Sequence, residues 1–469
     1  MYEFKDFFTR KHVSVPFRGR KMIVWNRWYW FVQPPLVSIP YTLYYSKFQK
    51  LNWEKVPKNK PVIFAETHRN AFMDSLACVN TGSSQVIQLA RGDAFNNKIL
   101  APIFYFFHML PIWRERDEPG GDTWEKNEET FNACYDLLAK NAIVGIYPEG
   151  DCINENHVRP LKKGICRIAF GAEVRYNFEL DIQIVPVGVT YTGADKFKKW
   201  AVINFGDPIP VKDFIPTYKT SHALAINQLK EAIEIGMQKT TLHIKKTAHF
   251  HDKEQLATIY ARNKILTEGR RYEPISKLLE EKKTINILEN AEVNAPDTFK
   301  HLHDFLQEYK GLMNKFNFRE NTFDEAKHKP VSIVFMTLYL LLMLPVFLFG
   351  VVTNYVPYII PHRFVVRKIK QRIFHSSIKY VIGFPIMIAW YILLSVSIWF
   401  ILGSMLSVLI FFIFFPIAGH IAFYYWYDLK KYVSILRFKR LERQKDNDLH
   451  ALQVLRNKII DGISGLPQE

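Results

Sequence analysis

The sequence predicts an α/β layered domain on a mixed, largely parallel sheet, followed by a helical extension and C-terminal membrane helices. Three observations lead there. Short apolar, partly β-branched runs alternate with helically spaced segments from about residue 50 to 245. Amphipathic helical patterning without strand signals continues to about 330. Two long uncharged stretches lie beyond Pro330. The mean hydropathy is only −0.08, although 48% of the 469 residues are hydrophobic and 15% aromatic. That value averages a polar domain with a few very apolar segments. A chain made mostly of spans would be apolar overall, and a disordered chain would not carry this aromatic content.

Each element follows in order. Residues 21–48 hold three Trp and six Tyr or Phe beside a Pro-Pro pair. Trp and Tyr favour the membrane–water boundary, so residues 1–50 read as an interfacial membrane-associating segment. Strands are expected at 61–67, 85–90, 142–148, 182–191 and 201–206, and helices near 71–80, 96–108, 124–140 and 162–178. Together they define a domain at 51–245, with functional groups expected beyond the strands' carboxyl ends. Residues 246–330 form the helical extension and 331–427 the membrane region. Val331–Pro361 contains no charge, and Tyr380–Tyr427 runs 48 residues without Asp, Glu, Lys or Arg. About 20 apolar residues cross a bilayer, so 380–427 reads as a hairpin turning at Gly403-Ser404.

The first block contains Pro345, Gly350, Asn354 and Pro357. It reads as a re-entrant pair of half-helices broken near Pro345–Gly350, with three full spans as the alternative. Residues 361–379 carry six basic side chains and no acid, and 428–445 carry seven basic and two acidic ones. Such flanks prefer the cytoplasmic side. The expectation is an integral membrane protein with its α/β domain on the cytoplasmic face and a basic polar tail at 428–469.

The net charge of +17 implies an anionic partner. Nucleic acid is not expected, because the basic residues cluster beside apolar spans and in loops rather than in an aromatic-interleaved stripe. Cys78, Cys134, Cys152 and Cys166 form no CxxC pair, and no clustered His/Cys set suggests a metal. The N-terminus has no apolar core of a secretory signal.

Four stretches carry candidate chemistry. His68 follows the first domain strand and Asp74 comes six residues later in HRNAFMD. An Asp on one imidazole nitrogen fixes the tautomer and leaves the other as a general base. PIWRERD places Arg114 and Arg116 in one loop, suited to phosphate recognition. YPEGD puts Glu149 and Gly150 at a strand end, with Arg159, Lys162 and Lys163 ahead of a helix start near Gly164. IVPVGVTY is an apolar strand interrupted by Pro186. Each alone is a common structural feature.

In combination, His-x5-Asp, P-I-x-R, YPEG with L-K-x-G behind it, and VPVGVTY resemble the four blocks of the glycerolipid acyltransferase (PlsC-like) family. That family acylates glycerol-3-phosphate and lysophosphatidic acid. The long chain, the His-x-Asn-x-Phe-x-Asp form and the C-terminal apolar segments are most similar to fungal-type glycerol-3-phosphate and dihydroxyacetone-phosphate acyltransferases and their bacterial relatives. The commoner family form has four residues between His and Asp; here there are five.

The resemblance implies a membrane-bound O-acyltransferase of phospholipid and phosphatidic acid biosynthesis. His68 would act as base and Asp74 as its partner. Arg114 would hold the acceptor phosphate, Glu149 and Gly150 would position glycerol hydroxyls, and Arg116 and Lys162 would add phosphate contacts. Backbone N–H groups near Gly150 would stabilise the oxyanion. No metal or cofactor is implied beyond the co-substrate, an acyl thioester of CoA or acyl carrier protein. The acceptor is glycerol-3-phosphate, or alternatively 1-acyl-glycerol-3-phosphate. A non-catalytic lipid-binding scaffold is the rival reading.

Overall fold

The structure is a computed structural model that describes residues 14–23, 27–81, 85–114, 123–325 and 330–467. It divides into two compact units. The first comprises Met1–His243, Glu273–Leu278 and Gln371–Ser377; the second comprises Ile244–Tyr272, Leu279–Lys370 and Ile378–Glu469.

The first unit is built on an eight-stranded sheet. A hairpin of β1 (Ser14–Phe17) and β2 (Arg20–Ile23) precedes it. The sheet strands are β3 (Lys47–Leu51), β4 (Val62–Glu66), β5 (Val86–Arg91), β6 (Met109–Ile112), β7 (Ile143–Ile146), β8 (Gln183–Tyr191), β9 (Trp200–Phe205) and β10 (Ile209–Pro210). Their order is β3-β9-β8-β4-β7-β5-β6, with β10 on β8. Only β8/β9 and β8/β10 are antiparallel, so the sheet is mixed and largely parallel as the alternating pattern predicts. Every residue of β4 is buried, which explains its unbroken apolar run.

Helices Thr123–Leu138, Gly164–Arg175 and His222–Thr240 contribute Leu137, Ile168, Phe170 and Ile233 to one core with Ile63, Ile87, Val144 and Ile184. Val15, Phe17 and Met22 of the hairpin enter the same core. The sheet therefore recruits chain from within the stretch read as interfacial, since β3 begins at Lys47 and pairs with β9. Parallel pairing places the ends of β4, β5, β6 and β7 along one edge, and the candidate loops leave from that edge.

The regular elements described in the second unit are all helices, joined by short turns. Among the described residues, three helices are long and apolar enough to cross a membrane, at Ser332–Lys368, Arg372–Leu402 and Met405–Arg443. The expected break near Pro345–Gly350 does not occur. Helix Pro330–Lys368 runs unbroken for 39 residues through Pro345, Pro357 and Pro361. A proline removes one backbone hydrogen bond, and neighbouring helices and local adjustment can absorb that loss. Gly350 serves packing instead: a Cβ there would collide with the Ala418 carbonyl oxygen and lie 2.8 Å from Ala422 Cβ. Small residues thus let two helix backbones touch. Asn354 donates to Phe415 O at 3.1 Å and accepts from Tyr391 Oη at 2.5 Å, joining all three helices.

Candidate active site

His68 lies two residues beyond β4. Its Nδ1 is 3.1 Å from Asp74 Oδ2, and its side chain retains 21% exposure while that of Asp74 has none. The five-residue loop makes this geometry. The Arg69 and Asn70 N–H groups donate to the same Oδ2 at 2.8 and 2.7 Å, and Ala71, at φ 43°, turns the chain into helix Phe72–Val79. The loop therefore wraps around the carboxylate. Asp74 Oδ1 accepts from Tyr191 Oη at 2.8 Å. With Nδ1 committed to Asp74, Nε2 is the nitrogen left for proton transfer. Tyr147 stacks on the imidazole with ring centroids 4.1 Å apart and an interplanar angle of 24°.

The loop after β7 is tied to this one. Glu149 Oε1 accepts from His68 N at 3.1 Å. Its Oε2 accepts from Arg159 N at 3.2 Å and from Arg159 Nε at 2.9 Å. Glu149 is therefore a strap that fixes the His68 backbone, and both oxygens expected to meet a glycerol acceptor are already engaged. Ile153 N donates to His68 O at 3.1 Å, adding a second tie. Gly150 has φ +74°, which favours glycine. Its N–H donates to Tyr147 O at 3.0 Å, so it is spent on the turn rather than left for an oxyanion.

Arg114 reaches the same loop from beyond β6. Its Nη1 donates to Gly150 O at 2.6 Å and lies 3.6 Å from Asp151 Oδ1. Asn127 fixes the approach by accepting from Trp113 N at 2.9 Å and donating to Trp113 O at 2.8 Å. Lys162 N donates to Pro148 O at 2.7 Å, and its side chain packs beside Gly150. His68, Asp74, Arg114, Glu149, Gly150 and Lys162 thus lie in one connected loop cluster; Arg116 lies outside the described residues.

Sequence reasoning gave no role to the Tyr147 ring or the Tyr191 hydroxyl. Both fall inside quoted motifs, but stacking and strand register decide where they point. Cys152 Sγ accepts from Ala71 N at 3.0 Å. Burial pushes its thiol up to about 12, so it is not a thiolate nucleophile at neutral pH.

Atoms of His68, Asp74 and Cys152 lie within 4.8 Å of one another, as do those of His249, Asp252 and His303 in the second unit. The first carboxylate is already filled by N–H and O–H donors. In the second, the Lys310 ammonium sits 2.9 Å from Asp252 Oδ1 and opposes a further cation.

A His–Asp pair and an arginine-bearing loop thus lie together at the carboxyl edge of the parallel strands. Residues 47–190 match the family model described as Acyltransferase. The chain is 31% identical over 115 residues to glycerol-3-phosphate O-acyltransferase 1 of Saccharomyces cerevisiae, covering 24% of this chain and 15% of that protein. It is 32% identical over 116 residues to glycerol-3-phosphate O-acyltransferase 2 of the same yeast, covering 24% and 16%. An uncharacterized acyltransferase of Schizosaccharomyces pombe is 22% identical over 286 residues, covering 60% of this chain and 41% of that one. The chain thus spans less than half the length of these curated relatives. Among solved structures, the 1-acyl-sn-glycerophosphate (LPA) acyltransferase PlsC of Thermotoga maritima aligns with a TM-score of 0.32 at 15% identity, covering 45% of this chain and 78% of that one. Residues 47–190 thus form a domain similar to the Acyltransferase family and to part of the yeast glycerol-3-phosphate O-acyltransferases.

Proposed function

We propose that this chain transfers a fatty acyl group from an acyl thioester to a hydroxyl of glycerol-3-phosphate at a membrane surface. The observation that carries this is the His68–Asp74 pair, with Nδ1 held by a buried carboxylate and the Arg114 loop tied to it through Glu149 and Gly150. His68 Nε2 accepts the acceptor's hydroxyl proton. The oxygen then attacks the thioester carbonyl, the C–O bond forms, the C–S bond breaks, and the departing thiolate takes the proton back from the imidazolium. Asp74 stabilises the imidazolium in between. Arg114 and Lys162 supply positive charge for the acceptor phosphate.

The setting supports a lipid product. Trp28, Ile39 and Leu43 present exposed side chains on the segment before β3, and Ile99 and Ile103 do so beside β6, as a bilayer-contacting face requires. We place the catalytic domain on the cytoplasmic side because the flanks of the apolar helices are basic.

The test is acyl transfer from labelled acyl-CoA and acyl carrier protein to glycerol-3-phosphate and, separately, to 1-acyl-glycerol-3-phosphate. His68→Ala and Asp74→Ala should each lower kcat by roughly 10²-fold or more. Arg114→Ala should mainly raise KM for the phosphorylated acceptor. Transfer to the lysophosphatidate alone would move the acceptor assignment, and near-wild-type rates in His68→Ala would remove the base.

A further inference from the structure

Asp74 is fully buried, so its orientation depends on the donors that surround it. Three groups converge on Oδ2: the His68 ring and two backbone N–H groups. Oδ1 takes the Tyr191 hydroxyl at 2.8 Å. Tyr191 is the last residue of β8, which runs parallel to β4 with Val187 opposite Glu66. That register carries the tyrosine past the strand ends to the level of the loop. Its ring stacks on Tyr45 at 5.6 Å, and Tyr45 Oη accepts from Asn70 Nδ2 at 3.2 Å. Asn70 in turn donates its backbone N–H to Asp74. The contacts close a ring from Asp74 through Tyr191, Tyr45 and Asn70 back to Asp74.

We propose that Tyr191 is a positioning residue for the His68–Asp74 pair. Its hydroxyl fixes the rotation of the Asp74 carboxylate and takes up part of its charge, and so sets both the aim of the His68 ring and its basicity. The proposal rests on the acyltransferase reading for its kinetic consequences but not for its effect on His68.

Removing the donor concentrates charge on Asp74 and favours the imidazolium. The pH at which His68 becomes a free base therefore rises. The groups facing Asp74, besides His68 and Tyr191, are Tyr45, Glu66, Cys78, Tyr147 and Cys152. Burial holds the two tyrosines and two thiols neutral through the working range. Glu66 is pushed up to about 7 and would titrate within the scanned range, so the comparison is made in a Glu66→Gln background.

The experiment uses the full chain in detergent. It follows kcat, KM and the pH dependence of kcat/KM for Tyr191→Phe, and the carbethoxylation of His68 by diethyl pyrocarbonate against pH, read by peptide mass spectrometry. We expect kcat to fall roughly tenfold with KM unchanged. The acid limb and the His68 reactivity curve should both move to higher pH. Placing 3-fluorotyrosine, a stronger donor of the same shape, at position 191 should move both to lower pH, and it keeps the test open if Tyr191→Phe folds poorly. Unmoved acid limb and reactivity curves in a folded variant would overturn the proposal. Carbethoxylation needs no acyl transfer. A chain that transfers no acyl group would sink the proposed function, while the His68 curve still decides the role of Tyr191.

Discussion

Glu66, two residues before His68, is fully buried, with Gln88 Nε2 donating to its Oε1 at 2.9 Å. Gly145 of β7 makes the room, since a Cβ there would collide with that oxygen. Burial raises the carboxyl from its ordinary value to about 7, against the opposing hydrogen bonds of Gln88, Cys78 and Tyr147. Between those two values the folded chain keeps a proton that the unfolded chain has released. Folding is therefore favoured on the acid side of this window and loses ground as pH rises through it, by about 3 kcal/mol once pH exceeds 7. Glu66→Gln should remove that slope: thermal melting at pH 8 should rise above wild type, while melting at pH 5 stays close to it. Parallel pH profiles for the two proteins would mean that Glu66 is ionised in the fold. The buried acid was not singled out in the sequence, where it reads as the end of an apolar strand. His68, Asp74 and Arg114 were legible because strand-end position and residue type announce them. The engagement of both Glu149 oxygens was not, because it depends on Arg159 folding back ten residues later.

At the scale of elements, strands with β-branched apolar runs were legible and polar ones were not. KFQKL, the β3 strand, has two lysines and no fully buried residue, as suits an edge strand; only its partner β9 identifies it. The N-terminal hairpin lies within the stretch read as interfacial and has only four residues in each strand. The apolar helices gave the opposite difficulty. Proline and glycine near 345–357 read as helix breakers, but in a packed apolar setting glycine is a contact surface. That difference is measurable. Gly350→Leu forces two helix backbones apart and should destabilise by about 1–3 kcal/mol, read as a melting temperature lowered by several degrees in detergent. Gly311→Ala, in the interior of helix Pro296–Phe316 with open space around it, should stabilise by about 0.5–1 kcal/mol. Equal melting of Gly350→Leu and wild type would mean that the helices part without cost.

At the scale of the second unit, the ends of its apolar region fix how the chain crosses. Helix Pro296–Phe316, before the first long helix, packs on helix Asn447–Ser464, after the third. Leu302 meets Gly462, Lys315 pairs with Asp448, and Arg456 Nε bonds Glu320 Oε1 at 2.7 Å. This packing predicts that both flanks lie on one side of a membrane, which an odd number of through-going spans would not allow. The second and third helices meet at Gly403-Ser404. Tyr425 Oη donates to Leu340 O at 3.0 Å, which places Leu340 about 30 Å from that joint along the third helix. Asn354 touches Phe415 and Tyr391, only about 15 Å from the joint. Pro361 then lies beside Gly383, about 28 Å away along the second helix. Those contacts, with the basic side chains at 363–372, predict that Lys368 stays on the face of the two flanking helices. Single cysteines at Glu308→Cys, Lys368→Cys, Met405→Cys and Asn457→Cys, in a chain whose four native cysteines are replaced, can be labelled in sealed vesicles with an impermeant maleimide. Positions 308, 368 and 457 should label from one face and 405 from the other. Labelling of 368 with 405 would make the middle helix the one that turns back, and labelling of 457 opposite 308 would restore three full spans and contradict the packing of the two flanking helices.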